Sequence, residues 1–212
     1  MGSDKTRIRR LSELAVDDRG LIDAVLDEGF VCHVAYLVDD RPVVIPTLYA
    51  RDGDRVLLHG SHASGLMMAV KRGSNLSIAV THVDGVVVAR SGFESSANYR
   101  SVVIHGIGRF LEGDEHERAM DVLVEKLIPG RLTDIRRPTA KELRQTAVIE
   151  VGLEEVSAKI HAKPPEDAES DIGTGVWAGV IPMEVVFGTP EPAPDLEPGV
   201  EIPDYLTAYR RS

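Results

Sequence analysis

Phe30-Val31-Cys32-His33-Val34-Ala35-Tyr36-Leu37-Val38, then Asp39-Asp40-Arg41, then Pro42-Val43-Val44-Ile45-Pro46-Thr47-Leu48-Tyr49-Ala50: the reading of this stretch decides the fold. Both flanking runs are rich in β-branched and aromatic residues, and the charged triplet between them is turn chemistry, so together they read as a β-hairpin. Proline has no N–H to give to a ladder, so the second run is an edge strand or bulges at Pro46. Backbone groups left unpaired near Thr47 would suit a planar heterocycle with amide edges; the residues alone read first as a plain edge strand.

Working outward, residues 17–28 read as a helix with Leu21, Ile22, Val25 and Leu26 on one face and Gly29 as its C-terminal cap. Downstream, Asp52-Gly53-Asp54 turns into a strand over 55–60, and a short helix opens at Ser61 or His62 and ends at Lys71-Arg72-Gly73. A strand over 75–83 turns at Asp84-Gly85 into another over 86–90. After a loop over 92–97 comes a strand over 99–111. Asp114 with Glu117 predicts a capped helix to Leu127, broken by Pro129-Gly130, and Thr139-x-x-Glu142 predicts a second capping box. Residues 147–160 read as one long strand, 164–175 as an acidic exposed loop, and 177–187 as a last strand or turn. The tail from Thr189 carries five prolines and reads as extended. About seven strands, mostly in hairpins and without regularly alternating crossover helices, predict a mainly β fold with peripheral α-helices, an antiparallel barrel or sandwich.

Composition narrows the function. The chain has 212 residues and a net charge of −10, with no basic stripe, only the pairs Arg9-Arg10 and Arg136-Arg137. A free-standing nucleic-acid binder is excluded on that count. The single cysteine, Cys32, lies in an apolar run; it reads as a buried structural thiol in a reducing compartment. No segment approaches the ~20 apolar residues of a membrane helix. The polar N-terminus reads as lacking a signal peptide, so the expected location is the cytoplasm. Met1-Gly2-Ser3-Asp4-Lys5-Thr6 matches a myristoylation pattern through two fixed residues only, and reads as chance.

Chemistry concentrates in a few segments. In Val56-Leu57-Leu58-His59-Gly60-Ser61-His62-Ala63-Ser64 a strand runs into a helix start, where free N–H groups and the hydroxyls of Ser61 and Ser64 would cradle a phosphate. A plain helix cap at Ser61 fits the same residues. Asn98-Tyr99-Arg100-Ser101 precedes an apolar strand, and Arg100 would meet a phosphate, a carboxylate or an ordinary surface acid. Lys159 ends a long strand. Trp177, the only tryptophan, offers a flat face and one donor, to a flavin ring, a dimer interface or the core alike. The seven histidines form no metal set. No Gly-x-Gly-x-x-Gly and no nucleophile elbow appears.

Taken in order, these segments resemble the FMN-binding split barrels related to pyridoxamine 5′-phosphate oxidase, over roughly residues 8–190. The carriers are residues 21–29 with the strand after them, Val44-Ile45-Pro46-Thr47-Leu48-Tyr49, His59-Gly60-Ser61-His62-Ala63-Ser64, Asn98-Tyr99-Arg100-Ser101-Val102-Val103, Pro138-Thr139-Ala140-Lys141-Glu142-Leu143, Ser157-Ala158-Lys159 and Trp177-Ala178-Gly179. The resemblance implies an antiparallel split β-barrel of the FMN-binding type over 8–190, followed by a Pro-rich tail over 191–212. It implies FMN as cofactor, bound between two protomers of a C2 homodimer, and a flavin-dependent oxidoreductase acting on an unidentified small molecule, with no nucleic acid and no membrane as partner. Pro46, Thr47 and Leu48 would lie along the flavin, and His59, Gly60, Ser61 and Ser64 would form the phosphate site. Asn98, Tyr99, Arg100 and Ser101 would reach the cofactor, often from the second subunit, and Trp177 would stand near the ring.

Two departures count against vitamin B6 oxidation: Gly65 and Leu66 replace basic residues after the phosphate-site serine, and Pro182 or Met183 replaces a substrate arginine. The phosphate charge then falls to Lys159 and Arg100. Related barrels also hold a deazaflavin or haem, or carry flavin without turnover; haem would need a ligand such as His59 or His105. Nitro-compound reduction is a further family chemistry, which would put His59 near the ring.

Overall fold

In a computed structural model, residues 12–209 are described. The Met1–Thr6 pattern, Arg9-Arg10 and the expected start of the domain at residue 8 lie outside them. In chain order the elements are β1 (Ala15–Val16), α1 (Arg19–Glu28), β2 (Val31–Val38), β3 (Arg41–Asp52), β4 (Arg55–Ser61), α2 (Gly65–Lys71), β5 (Asn75–Val88), β6 (Ser96–Ile107), β7 (Arg109–Phe110), α3 (Gly113–Leu127), α4 (Ala140–Gln145), β8 (Thr146–Gly152), β9 (Glu155–His161), β10 (Gly179–Pro182) and α5 (Asp204–Thr207).

The opening hairpin forms as expected. β2 and β3 pair antiparallel from Val31↔Leu48 to Val38↔Arg41. Asp39 and Asp40 turn the chain at φ 47° and 61°, a left-handed pair that short acidic side chains tolerate. From this hairpin the sheet grows both ways, in the order β1-β9-β6-β5-β2-β3-β4-β8-β7, with β10 added to β5. The architecture is the antiparallel split barrel. Its two halves share only β3, whose residues Tyr49–Asp52 pair with β4 at Leu58–Arg55.

The core fills the space between the halves. Alternation on β2 buries Cys32, Val34 and Tyr36; α1 adds Ile22, Val25 and Leu26, and α2 adds Leu66, Met67, Ala69 and Val70. Burying each Leu or Ile of this set contributes about 1.5–3 kcal/mol, so the core can stand without disulfide or metal. Burial pushes the Cys32 thiol up to about 12, so it stays protonated and inert. A second, smaller cluster of Leu57, Leu111, Ala119 and Val148 packs α3 onto the opposite face of β4 and β8.

Several expected elements differ. Among the described residues there are ten strands, where about seven were read. Asp84-Gly85 is no hairpin turn: β5 runs straight through it with a bulge between Val83 and Gly85. Asp84 is held by Arg100, and a Cβ at residue 85 would stand 2.9 Å from the carbonyl oxygen of Ile181 on β10. The glycine therefore serves the close approach of a strand. Residues 147–160 are two strands: β8 ends at Gly152 in the β4 half, and β9 begins at Glu155 beside β6. The strand read over 99–111 starts earlier, at Ser96, and breaks between Ile107 and Arg109.

Helix ends differ as well. Asp18 caps α1 by accepting from Leu21 N, and α2 begins only after Ser64. Gly29 is extended (φ −79°) and is no left-handed cap; the last α1 carbonyls are satisfied through space, Leu26 O by Tyr49 Oη at 2.7 Å and Val25 O by His82 Nε2 at 3.0 Å. Asp114 does not cap α3, whose N-cap is Glu112 without a side-chain bond. The Thr139–Glu142 capping box forms in full. Residues 177–187 hold only the four-residue β10, and the tail is irregular apart from the single turn α5. Among the described residues no helix is long and apolar enough to cross a membrane.

Replacing Gly85 with alanine should push β10 off β5. The expected outcome is faster protease cleavage across residues 176–190, read by mass spectrometry, with the remaining barrel intact; an unchanged cleavage pattern would contradict the close-approach account.

Candidate functional site

The barrel opens where β3 and β4 diverge. Their ladder ends at Tyr49↔Leu58; beyond it β3 pairs only with β2, and β4 only with β8. Tyr49 N donates to Phe30 O at 3.1 Å, so by alternation the odd-numbered N–H groups of β3 point to β2. The even positions face the opening, and two of them, Pro42 and Pro46, have no N–H to offer a partner. The unpaired backbone thus belongs to Pro46 and Leu48. These two residues flank Thr47, which is itself in the ladder opposite Cys32.

Across the opening, strand alternation divides the expected phosphate segment. Gly60 faces α2: a Cβ there would lie 3.5 Å from Met67 Cε and 3.7 Å from Ser64 Oγ. Ser64 caps α2, its Oγ accepting from Met67 N at 3.3 Å, and Ser61 Oγ accepts from Ala63 N at 3.3 Å. Both hydroxyl protons stay available to an anion. His59 projects to the other face, beside Leu57 and Val148, beneath α3.

There His59 lines an apolar cavity of about 160 Å³ with Phe30, Leu48, Tyr49, Met120, Leu123, Val124 and Leu127. Its Nδ1 is buried without a hydrogen-bond partner, and burial pushes the imidazole pKa down, so the neutral ring is favoured. Leaving such an atom unsatisfied costs about 1–3 kcal/mol. A second apolar cavity of about 390 Å³ shares Phe30 and Leu127 and is walled by Phe187, Pro190, Leu206 and Tyr209 of the tail. The helix face at 120, 123, 124 and 127 has the spacing of a helical stripe, a signal legible in the sequence that the reading did not connect to His59.

The third expected segment lies in the middle of β6. Arg100 is clamped by the carboxylates of Glu28 and Asp84, at 2.7–3.0 Å where the separations are ordinary, and these line an open cleft of about 750 Å³ with His82, Thr81 and Met183. Its charge is met inside the chain, contrary to the expected phosphate role. Asn98 ties the next loop down, Nδ2 donating to Lys163 O and Oδ1 accepting from Lys163 N, with His161 Nδ1 at 2.8 Å. Tyr99 and Ser101 alternate to the outer face, beside His161 and Lys159 of β9. That face continues across Val103, Ala79, His33 and Pro46, small or flat residues facing away from the core. Trp177 is 64% exposed, folded over Gly179, and lines none of these cavities. Pro46 and Leu48 thus lie on the free edge of β3 and Gly60, Ser61 and Ser64 at the β4–α2 junction, whereas Arg100 lies in the cleft with Glu28 and Asp84 and Trp177 is exposed beside Gly179. The Glu28–Arg100–Asp84 cluster, from three distant segments, left no mark in the sequence.

A family model described as pyridoxamine 5′-phosphate oxidase matches residues 18–160. Among solved structures, a flavocytochrome, Anf3 from Azotobacter vinelandii, shares 34% identity over 99% of this chain and 98% of its own, with a TM-score of 0.93. An FAD- and haem-binding protein from Mycobacterium smegmatis shares 36% identity over 92% of this chain and 96% of its own, with a TM-score of 0.89. A 5-nitroimidazole resistance protein from Bacteroides thetaiotaomicron, 19% identical over 69% of this chain and 86% of its own with a TM-score of 0.59, shares the fold alone. No curated protein matches.

The clamp on Arg100 predicts a pH dependence. The guanidinium holds the Glu28 carboxyl below its ordinary 4.5, so the unfolded state binds that proton more readily. The stabilisation is complete above that pH and is lost as pH falls through the lower folded value. The stability difference between wild type and Arg100→Met, from urea unfolding, should therefore shrink as pH falls below the ordinary 4.5 of the carboxyl. A constant difference would refute the pairing.

Proposed function

The chain belongs to the pyridoxamine 5′-phosphate oxidase family, and on that premise we propose that it is a flavin- and haem-binding oxidoreductase that works as a homodimer. One observation carries the reading: the likeness to a flavocytochrome runs over nearly the whole of both chains, tail included. The relative that names its cofactors binds FAD and haem, which favours FAD over FMN here. When bound, the flavin would exchange electrons in pairs and the haem iron singly, while the protein supplies position and electrostatics.

The residues at the opening fit a flavin. Pro46 O and the Leu48 backbone offer edge groups to a ring system. The hydroxyls of Ser61 and Ser64 and the first N–H groups of α2 suit a phosphate. Arg100 and Asn98 are engaged by Glu28, Asp84 and Lys163 within the chain, and Lys159, Tyr99, Ser101 and Trp177 would serve a site completed by a second protomer. Dimerisation is supported by the outer sheet face, where Val31, Leu37, Val44 and Val83 are 42–59% exposed around a centre of small residues. Gly65, Leu66, Pro182 and Met183 supply no cation for a vitamin B6 phosphate, so that substrate is no part of the reading. The buried lone thiol agrees with a cytoplasmic setting.

An absorption spectrum of the purified protein, with released cofactors weighed, tests this reading. Flavin bands, a Soret band and the mass of FAD are the expected result; the mass of FMN would restore the smaller nucleotide. A colourless protein that takes up neither added flavin nor hemin would end the proposal. Ala79→Arg, at the centre of the outer face, should give a monomer by light scattering with flavin affinity down at least tenfold; a flavin-loaded dimer would refute the interface.

A further inference from the structure

We propose that the open cleft between the end of α1, β5 and the tail binds a small organic ammonium ion, a protonated amine carried on an aromatic or alkyl body. The cleft shares no residue with the β3–β4 opening, and the proposal does not depend on which cofactor the barrel holds.

The cleft exists because the sheet has a gap. One edge of β5 is covered by β2 at residues 77–79 and by β10 from Gly85 onward. Thr81, His82 and Val83 lie between, paired with β6 on their other edge and with no strand on this one. β2 begins only at Val31, and on the far side the tail is tied down by Met183 N, which donates to Asp84 O at 2.9 Å. The space left is about 750 Å³, within the range of small-molecule sites, about 300–1,000 Å³.

Negative charge is in excess there. Glu28 and Asp84 share one guanidinium, that of Arg100, so one carboxylate charge is left over. Glu184, exposed on the tail, adds another. An anionic ligand is disfavoured by the same groups.

His82 makes the site specific for an amine. Its side chain is only 10% exposed. Nε2 donates to Val25 O at 3.0 Å, so in the neutral ring Nδ1 keeps a lone pair. Nδ1 lies 3.9 Å from Glu28 Oε1, beyond hydrogen-bond reach, and both residues line the cleft. Two acceptors at that spacing lack a donor between them. An ammonium has several N–H groups on one charged nitrogen and can bridge the pair. A bare metal ion is poorly served, since among the described residues no three His, Cys, Asp or Glu side chains come together to hold one. Phe30, Val31, Val83, Met183 and Val185 complete the lining and call for hydrocarbon on the ligand. Val31 and Val83 also belong to the outer sheet face, so the mouth borders the proposed dimer interface.

Calorimetric titration of the full-length protein, as purified, tests this with three probes of similar shape: phenethylamine, phenethyl alcohol and hydrocinnamate. The amine should bind saturably, the alcohol about tenfold more weakly or worse, and the carboxylate not at all. Glu28→Gln should weaken the amine by about tenfold or more. Val185→Lys, on the exposed tail, brings a competing ammonium to the cleft without touching the core, and should do the same. In nitrogen NMR of isotope-labelled protein, the Nδ1 signal of His82 should move on adding the amine. Equal affinity for the three probes, undiminished amine binding by Val185→Lys, or a His82 signal indifferent to the amine would overturn the proposal. So would a wild type that binds none of the probes. The flavin and Soret bands are read separately, so failure here leaves the two-cofactor reading standing.

Discussion

Everything in this barrel depends on β3 pairing along both edges for only part of its length. Its odd-numbered N–H groups face β2 throughout, whereas Pro42 and Pro46 leave the other edge short of donors. β4 can therefore join only from Tyr49 onward, and the two half-sheets separate below that point. Core side chains from α1 and α2 fill the angle on one side, and the unpaired backbone of β3 lies open on the other. Two missing hydrogens thus determine both the split and the place where a planar ligand can meet main-chain groups.

The period of two then divides the chemistry of β4. Gly60 and the cap of α2 share one face, and His59 occupies the other beneath α3. Neighbouring residues in one motif thereby meet two different surroundings. The polar one forms around backbone and hydroxyl groups near solvent. The apolar one buries an unsatisfied imidazole, an arrangement that natural interiors avoid. α3 and the tail supply the hydrocarbon that makes the second dry.

The sequence reading succeeded where signals are local. The β2–β3 hairpin follows from β-branched runs around two acidic turn residues, and the Thr139–Glu142 box from a spacing that satisfies two helix donors at once. It failed where a local signal served a distant contact. Asp84-Gly85 has turn chemistry, yet the glycine admits β10 and the aspartate binds Arg100. Gly29 follows a helix, yet Tyr49 and His82 finish that helix from across the fold.

By itself, then, the sequence determined the mainly β class, the hairpin order, the edge character of β3 and the segments that carry polar chemistry, because propensity, alternation and proline's missing N–H act within a few residues. The tertiary structure alone decided which side of each strand those residues face and what meets them there. It clamped Arg100 between Glu28 and Asp84, from positions 72 and 16 residues away, and it placed α3 and the tail over His59. Burial, charge pairing and the loss of hydrogen-bond partners are properties of space between distant segments, so no spacing along the chain could have announced them.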